Sequence, residues 1–568
     1  MQKLYPKFFL LLVFFAGASL SIQAQHEHHN MAGHAMNMDT SKAVWRMPPM
    51  NMEMPMLPGM HNELPPVEPL IAGLGLTKED IPFAKPREIM ELADGDTVEL
   101  QASIVRRTLE GKDYVMYGYN GQYPGPLLKA PQNSTVVVEF NNQIEFPTTV
   151  HWHGLRHDYR FDGTMFSQDP VMIGESFTYE LFFRDAGVYW YHPHVLEYIQ
   201  QDLGLYGNML VAPPEEDYYS PVNREEMLIL DDILIDDQGM IPWGKSSPTH
   251  ALMGRFGNVM LVNGKTDYKL NVDKNEVLRF YITNVANTRT FNMVFEGAKV
   301  KVVGSDVSKF EEEVYTENVP IAVAERYIVE VLYEEPGTYP ILNSIQAINH
   351  FRGEFYPHKD TLGMVTVSKN KVEENHTEAF NTLRVNEDVK EDIAEFEPYF
   401  NKPVDKELEM TVAVKNLPIP IMQSMQLDTA YVPHIEWNDT MPMMNWLSTG
   451  KQVEWILRDP ATGQKNMDIY WDFKKGDVIK LRLFNDPDTF HPMNHPFHIH
   501  GQRHLVLSMD GVENPNMVWK DTSIIPVGAT VDLLIEMSNP GKWMMHCHIG
   551  EHLDAGMMLG FEVDGETP

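Results

Sequence analysis

Short runs in which apolar and polar residues alternate dominate the chain from Asp94 onward. Thr97 to Val105, Asp113 to Tyr119 and Thr135 to Phe140 are rich in β-branched and aromatic residues and are broken by Gly, Pro and Asn. That combination predicts short strands. The pattern recurs at Glu226 to Asp231, Val277 to Asn284, Lys299 to Val303 and Tyr327 to Tyr333, which marks a second block over residues 226–368. A third block runs from Glu407 to the C-terminus, and the acidic stretch Asn370 to Glu397 reads as the linker leading to it. Short strands separated by turn residues are the pattern of β-sandwich domains. A chain of 568 residues is too long for one ordinary core, so three or so domains are expected.

Ahead of Asp94 other signals replace the alternation. Lys3 and Lys7 precede an apolar run from Phe8 to Leu20, and Ile22-Gln23-Ala24 resembles a small-residue cleavage site. Residues 1–24 are read as a cleaved secretory signal, the apolar run being short against the roughly 20 residues a bilayer span needs. No Arg-Arg pair accompanies it, which favours the general secretory route and metal loading outside the cytoplasm. The expectation is a periplasmic or secreted monomer with no membrane span in its mature form. Residues 25–65 crowd Met31, Met36, Met38, Met47, Met50, Met52, Met54, Met56 and Met60 among histidines, with Pro, Asn and Gly and no apolar periodicity. This reads as a disordered segment, drawn here as residues 25–85. Thioethers are soft donors that favour Cu(I). Met50, Met52, Met54, Met56 and Met60 are therefore candidate Cu(I) ligands of a scavenging tail, the alternative being a Met-biased spacer.

Composition narrows the partners. A formal charge of −35 argues against nucleic acid, whose phosphates need Lys and Arg. Such acidity suits solubility and the attraction of cations. The single cysteine, Cys547, cannot make an internal disulfide, so stability must come from cores and metal.

Cys547 also marks the candidate chemistry. It lies in His546 to Met557, HCHIGEHLDAGM. In an extended segment alternate side chains point to opposite faces, so His546 and His548 look one way and Cys547 the other. With His552 and Met557 downstream, the stretch offers a thiolate, imidazole and a thioether, the ligand types of a blue copper centre. Upstream, in His495-Pro496-Phe497-His498-Ile499-His500, His498 and His500 share a face and His495 has the opposite parity. His495 can thus complete the Cys547, His552, Met557 set while His498 and His500 serve a second site behind the strand. Two further pairs, His151-Trp152-His153 and His192-Pro193-His194, fall in the first β block.

HPFHIHG and HCHIGEHLDAGM resemble the two C-terminal copper signatures of the multicopper oxidases, and HWHG and HPH supply the two N-terminal ones in the right order. Asn258 to Gly264, NVMLVNG, is similar to the family's middle-domain motif. The resemblance covers roughly residues 90–568. It implies an all-β fold of three consecutive cupredoxin-like Greek-key sandwiches: residues 86–218, residues 219–369 without copper, and residues 398–568 after a linker at 370–397. It implies four coppers per chain. A type 1 copper falls to His495, Cys547, His552 and axial Met557, a type 2 copper to His151 and His498. A coupled type 3 pair falls to His153, His192, His194, His500, His546 and His548. The implied reaction is one-electron oxidation of a donor coupled to four-electron reduction of dioxygen to water. The axial Met557 implies a lower potential than an axial Leu or Phe.

Asp162, in the Phe161-Asp162-Gly163 turn, aligns with the family's proton-delivering acid; a surface turn Asp is the alternative. The acid that many bacterial members place after the last copper histidine is replaced by Leu553, so Glu551 or Asp554 either substitutes or is solvated. Donors are expected to dock near His495 and His552. Met493, Met517, Met544, Met545 and Met558 lie near the blue-site ligands in sequence and read either as a soft Cu(I) patch or as core filling. Cu(I) and phenols or aromatic amines are the candidate donors. The competing functions are a non-catalytic periplasmic copper-binding protein and a copper nitrite reductase. Neither needs four HxH-type pairs beside a Cys.

Overall fold

The computed structural model describes residues 68–565 apart from 74, 237–238, 350–353, 418–421, 423–433 and 440–446. The signal, the tail methionines Met50, Met52, Met54, Met56 and Met60, and a second Met group at Met441, Met443 and Met444 lie outside the described residues.

Three sandwiches follow one another, each of two sheets. The first pairs a four-stranded sheet, in which Thr97–Leu109 and Thr135–Asn142 run parallel, with a five-stranded sheet ending in Gly187–His192 and His151–His153. The middle one sets a six-stranded sheet around Arg224–Ile233 and Val277–Asn284 against a five-stranded one around Gly337–Asn349 and Glu354–Lys371. The third sets six strands around Lys406–Val414 and Asp477–Asn485 against five that include His495–Ile499, Gly541–Cys547 and Met558–Asp564. One topological mark recurs in all three. An early strand of one sheet runs parallel to a later one of the same sheet: Thr97–Leu109 with Thr135–Asn142, Arg224–Ile233 with Val277–Asn284, Lys406–Val414 with Asp477–Asn485.

Burial follows the alternation read from the sequence where a strand faces water on one side. Val98, Leu100 and Ala102 point inward along Thr97–Leu109 while Glu99 and Gln101 are exposed. Val277–Asn284 and His495–Ile499 are buried at every position, because both faces are covered. These doubly covered strands lie where the sandwiches meet.

Two stretches depart from expectation. Residues 68–85, drawn within the disordered segment, are stitched to distant strands. Pro69 and Leu70 pair with Gly244 and Trp243, Phe83 bridges Arg106, and the Gly73 N–H donates to Glu145 at 2.9 Å. The stretch read as a linker carries two helices, Thr377–Asn381 and Glu387–Ala394. Val389 and Ile393, one helical turn apart, are buried, and Asp392 accepts from Arg503 and from the Trp519 indole. Among the described residues no helix is long and apolar enough to cross a membrane.

Candidate metal centres

Two strands and one short helix build a pocket around Cys547. Gly541–Cys547 pairs antiparallel with His495–Ile499, placing Phe497 opposite Cys547 and His498 opposite His546. Cys547 therefore enters the apolar core of the third sandwich, while its neighbours His546 and His548 emerge on the far face. The helix Gly550–Asp554 then carries His552 back over the thiol. Cys547 Sγ lies 3.4 Å from His495 Nδ1 and 3.8 Å from His552 Nδ1. Met557 is buried in the same core, and its carbonyl accepts from the Cys547 N–H at 3.1 Å. His495 and His552, near which donors are expected to dock, are both buried, and the indole of Trp455 lies against both rings.

On the far face the four HxH-type pairs meet. His151 stands opposite His192 in the first sandwich's sheet, and the third sandwich supplies the rest. His153 stacks on His498 with ring centroids 3.8 Å apart, and His151 lies 4.2 Å from His500. His192 is 5.1 Å from His548 and His194 is 5.4 Å from His546. His500 Nε2 faces His546 Nε2 at 2.9 Å. Three overlapping trios, His151/His498/His500, His151/His153/His192 and His194/His500/His546, each bring their donor atoms within 4.8 Å of one another.

The hydrogen bonds say which nitrogen is free. Nδ1 of His151, His192, His498 and His546 faces the carbonyls of Asp162, Pro193, Asp521 and Cys547 at 2.8–3.0 Å. Nδ1 of His500 meets Asp162 Oδ2, and His153 uses its other nitrogen, Nε2, toward Asp521 Oδ1, each at 3.0 Å. The opposite nitrogens, His151 Nε2, His153 Nδ1, His192 Nε2 and His498 Nε2, are buried without a partner, as is His194 Nε2. One nitrogen held by an acceptor and a free lone pair on the other is the arrangement of a metal-ligating histidine. Burial lowers the pKa of His153, His192, His194, His498, His500, His546 and His548, so these rings are neutral ligands at pH 7. Burial pushes the Cys547 thiol up, so a metal there must displace its proton. A thiol, two imidazoles and a thioether on one face and imidazoles alone on the other fit copper.

Carboxylates surround the histidines. Asp162 Oδ2 meets His500, and Oδ1 lies 3.3 Å from His151. Burial alone would raise its pKa, but His500 and His151 outweigh that and hold it well below the usual carboxylate range. The surface-turn reading of Asp162 fails: the side chain is buried. Glu551 is also buried and accepts from Asn287 Nδ2 and Thr288 Oγ1 of the middle sandwich, with its carboxyl lifted by burial to about 7. Asp554 is half-buried on the same helix.

Four further residues had no motif to announce them. Glu197, on the short helix Glu197–Gln200, puts its carboxyl 3.6 Å from His548 Nδ1, 3.7 Å from His192 Nδ1 and 3.9 Å from His194 Nε2. Burial, with Asp554 and Glu551 nearby, raises its pKa well above the usual range. Its only sequence signal is an acid inside the apolar run Val195-Leu196-Glu197-Tyr198-Ile199. Asp521 joins His153 to Arg326, which donates to it at 2.6 Å and to Val188 O at 2.9 Å. Arg326 belongs to the middle sandwich, expected to carry no copper; through Asp521 it fastens the backs of two candidate ligand histidines, His153 and His498. Trp455 is the fourth.

The five methionines near the ligands do not form one patch. Met493 and Met545 are buried in the core that holds Cys547. Met544 and Met558 pack with Leu553, Phe166 and Met467 in a separate cluster. Met517 lies elsewhere, its N–H donating to Glu311.

Family profiles described as multicopper oxidase match residues 102–216, 190–361 and 434–566, together more than half the chain. An iron transport multicopper oxidase, FET3, of Gibberella zeae is 26% identical over 79% of this chain and 72% of its own length. Laccase-1 of Thanatephorus cucumeris is 26% identical, covering 78% of this chain and 86% of its own. A solved multicopper oxidase from Campylobacter jejuni, described as a metallo-oxidase, superposes with a TM-score of 0.65 at 22% identity, over 89% of this chain and 99% of that one.

Proposed function

We propose, for a chain that belongs to the multicopper oxidase family, that His495, Cys547, His552 and Met557 hold a type 1 copper and that the eight-histidine face holds three more. His151 and His498 take the type 2 copper, and His153, His192, His194, His500, His546 and His548 the type 3 pair. The family is one of copper oxidoreductases that use dioxygen and a one-electron donor. When bound, the coppers accept single electrons on the Cys547 side and deliver four, with four protons, to dioxygen on the histidine side, giving two waters.

One observation carries this reading: Cys547 lies on one face of a strand while its own peptide neighbours, His546 and His548, lie on the other. The covalent path between the two centres is three residues long. Asp162 holds the His151 and His500 rings and stays ionised beside them. Glu197 approaches from the His192, His194 and His548 side, with burial raising its carboxyl well above the usual range. Asp162 and Glu197 are thus the proton-handling groups, with Glu551 tied up by Asn287 and Thr288.

For the donor we propose Cu(I), with phenols and aromatic amines as further substrates, in an exported protein. The support is the Met- and His-rich stretch at residues 25–65. The test is oxygen uptake by copper-loaded protein given Cu(I) or a methoxyphenol, with and without residues 25–65. Fast Cu(I) turnover that weakens on truncation is expected. Phenol turnover indifferent to truncation makes the protein a general laccase, and no uptake at full copper loading returns it to a binding role.

A further inference from the structure

We propose that Trp455 is a positioning residue of the Cys547 centre: its indole face fixes the His552 ring and stabilises the oxidised form of the site. The inference rests on the assignment of His495, Cys547 and His552 as ligands. It adds a side chain that donates no atom to the metal.

The contact is a built one. The indole and the His552 ring stack with centroids 4.0 Å apart and planes 28° from parallel. The same indole meets His495 edge-on, at 5.0 Å and 73°. A side chain that only filled volume would not need a face to one imidazole and an edge to the other. Three hydrogen bonds hold it there. The indole Nε1–H donates to the Ala251 carbonyl at 2.7 Å, across to the middle part of the chain. The Trp455 N–H donates to the Ala555 carbonyl at 3.1 Å, and the Trp455 carbonyl accepts from Asn466 Nδ2 at 3.0 Å. Ala555 lies between His552 and Met557, so the main chain of Trp455 clasps the loop that carries two of the ligands. The approach is close. A Cβ at Gly556, whose φ is +116°, would lie 2.9 Å from Asn466 Nδ2 and 3.3 Å from the Trp455 carbonyl.

The electrostatic consequence has a sign. An aromatic face carries negative charge density and attracts cations, indole most strongly. Cu(II) with one thiolate leaves a net positive charge on the ligand set, and reduction removes it. An indole stacked on His552 therefore favours the oxidised state and lowers the reduction potential. Surroundings of a copper–thiolate site tune its potential in this way. Holding the ring plane also limits how far the ligands move when an electron arrives.

The experiment compares full-length, copper-loaded wild type with Trp455→Phe and Trp455→Leu. The readouts are copper per chain, the thiolate-to-copper absorption band and the potential of that band in a redox titration. Trp455→Leu is expected to raise the potential and move the band, with Trp455→Phe between it and the wild type. Equal potentials in wild type and Trp455→Leu overturn the proposal, as does a Trp455→Phe shift equal to that of Leu. If the Leu variant fails to fold, fluorinated tryptophans placed at position 455 decide the matter, since they drain the ring's charge density at nearly constant shape. The potential should climb with each fluorine, and a flat series overturns the proposal. A wild type that shows no thiolate band sinks the ligand assignment instead.

Discussion

Two candidate metal-binding surfaces lie back to back on the strand Gly541–Cys547, and they are assembled over very different lengths of chain. The Cys547 pocket draws its donors from His495 to Met557, inside one apolar core that also contains Phe497, Trp455 and Leu457. The opposite face takes His151, His153, His192 and His194 from one end of the chain and His498, His500, His546 and His548 from the other. Its hydrogen bonds span 338 positions between Asp162 and His500 and 368 between His153 and Asp521. Local strand pairing sets the geometry of the first site, whereas docking of separate sandwiches sets the second. Arg326, from the sandwich that carries neither site, belongs only to the second, through Asp521.

Substitutions can separate the two surfaces. Cys547→Ser should abolish the blue absorption and all measurable oxygen uptake while thermal unfolding and copper at the histidine face stay close to wild type; uptake at the wild-type rate would break the arrangement. Glu197→Gln leaves a side chain that cannot give up an acid proton. It should slow oxygen reduction by roughly 100-fold, the low end for a positioned proton donor, and alter the pH profile with the blue band unmoved. Asp521→Asn weakens what holds His153. Copper at the histidine face should bind about 10–100-fold more weakly, the usual cost of losing a residue behind a ligand, as read by titration against a chelator, with the Cys547 band unchanged.

A separate prediction concerns protons and copper-free protein. Burial pulls His194 and His495 from an ordinary value of 6.5 to about 3. Between those values the unfolded chain binds more protons than the folded one. Stability is fully present above pH 6.5 and falls as pH drops toward 3, by about 1.4 kcal/mol per pH unit for each such ring. Denaturation of the copper-free protein from pH 7 to 4 should show this decline. Copper, which competes with the proton, should move the decline to lower pH.

Much of the site was legible because strand parity is a strict rule. One residue between two histidines puts both on one face, and the shift from His495 to His498 changes face, so two back-to-back sites follow from spacing alone. The strands at Val277–Asn284 and Thr135–Asn142 were likewise visible in their β-branched runs. Contacts made over distance were not legible. Arg326 meets Asp521 across 195 positions, and neither lies in a motif. Pro69 and Leu70 pair with strand residues far downstream for only two positions, too few to leave an alternating pattern. In the acidic stretch, Val389 and Ile393 carried a helical spacing that the surrounding Asp and Glu residues concealed. The five methionines show the limit of proximity in sequence: neighbours such as Met544 and Met545 point to opposite faces and enter different clusters.

The long span of the histidine face has a consequence for how the protein is made. The face needs both His151 and His548, 397 positions apart, so a chain made only as far as His500 has no place where all these imidazoles meet. A fragment holding only the third sandwich would carry the pocket and four of the eight imidazoles, and one holding only the first sandwich the other four. Distance along the chain thus acts as a checkpoint: the two halves of the face meet only when both sandwiches have folded and docked.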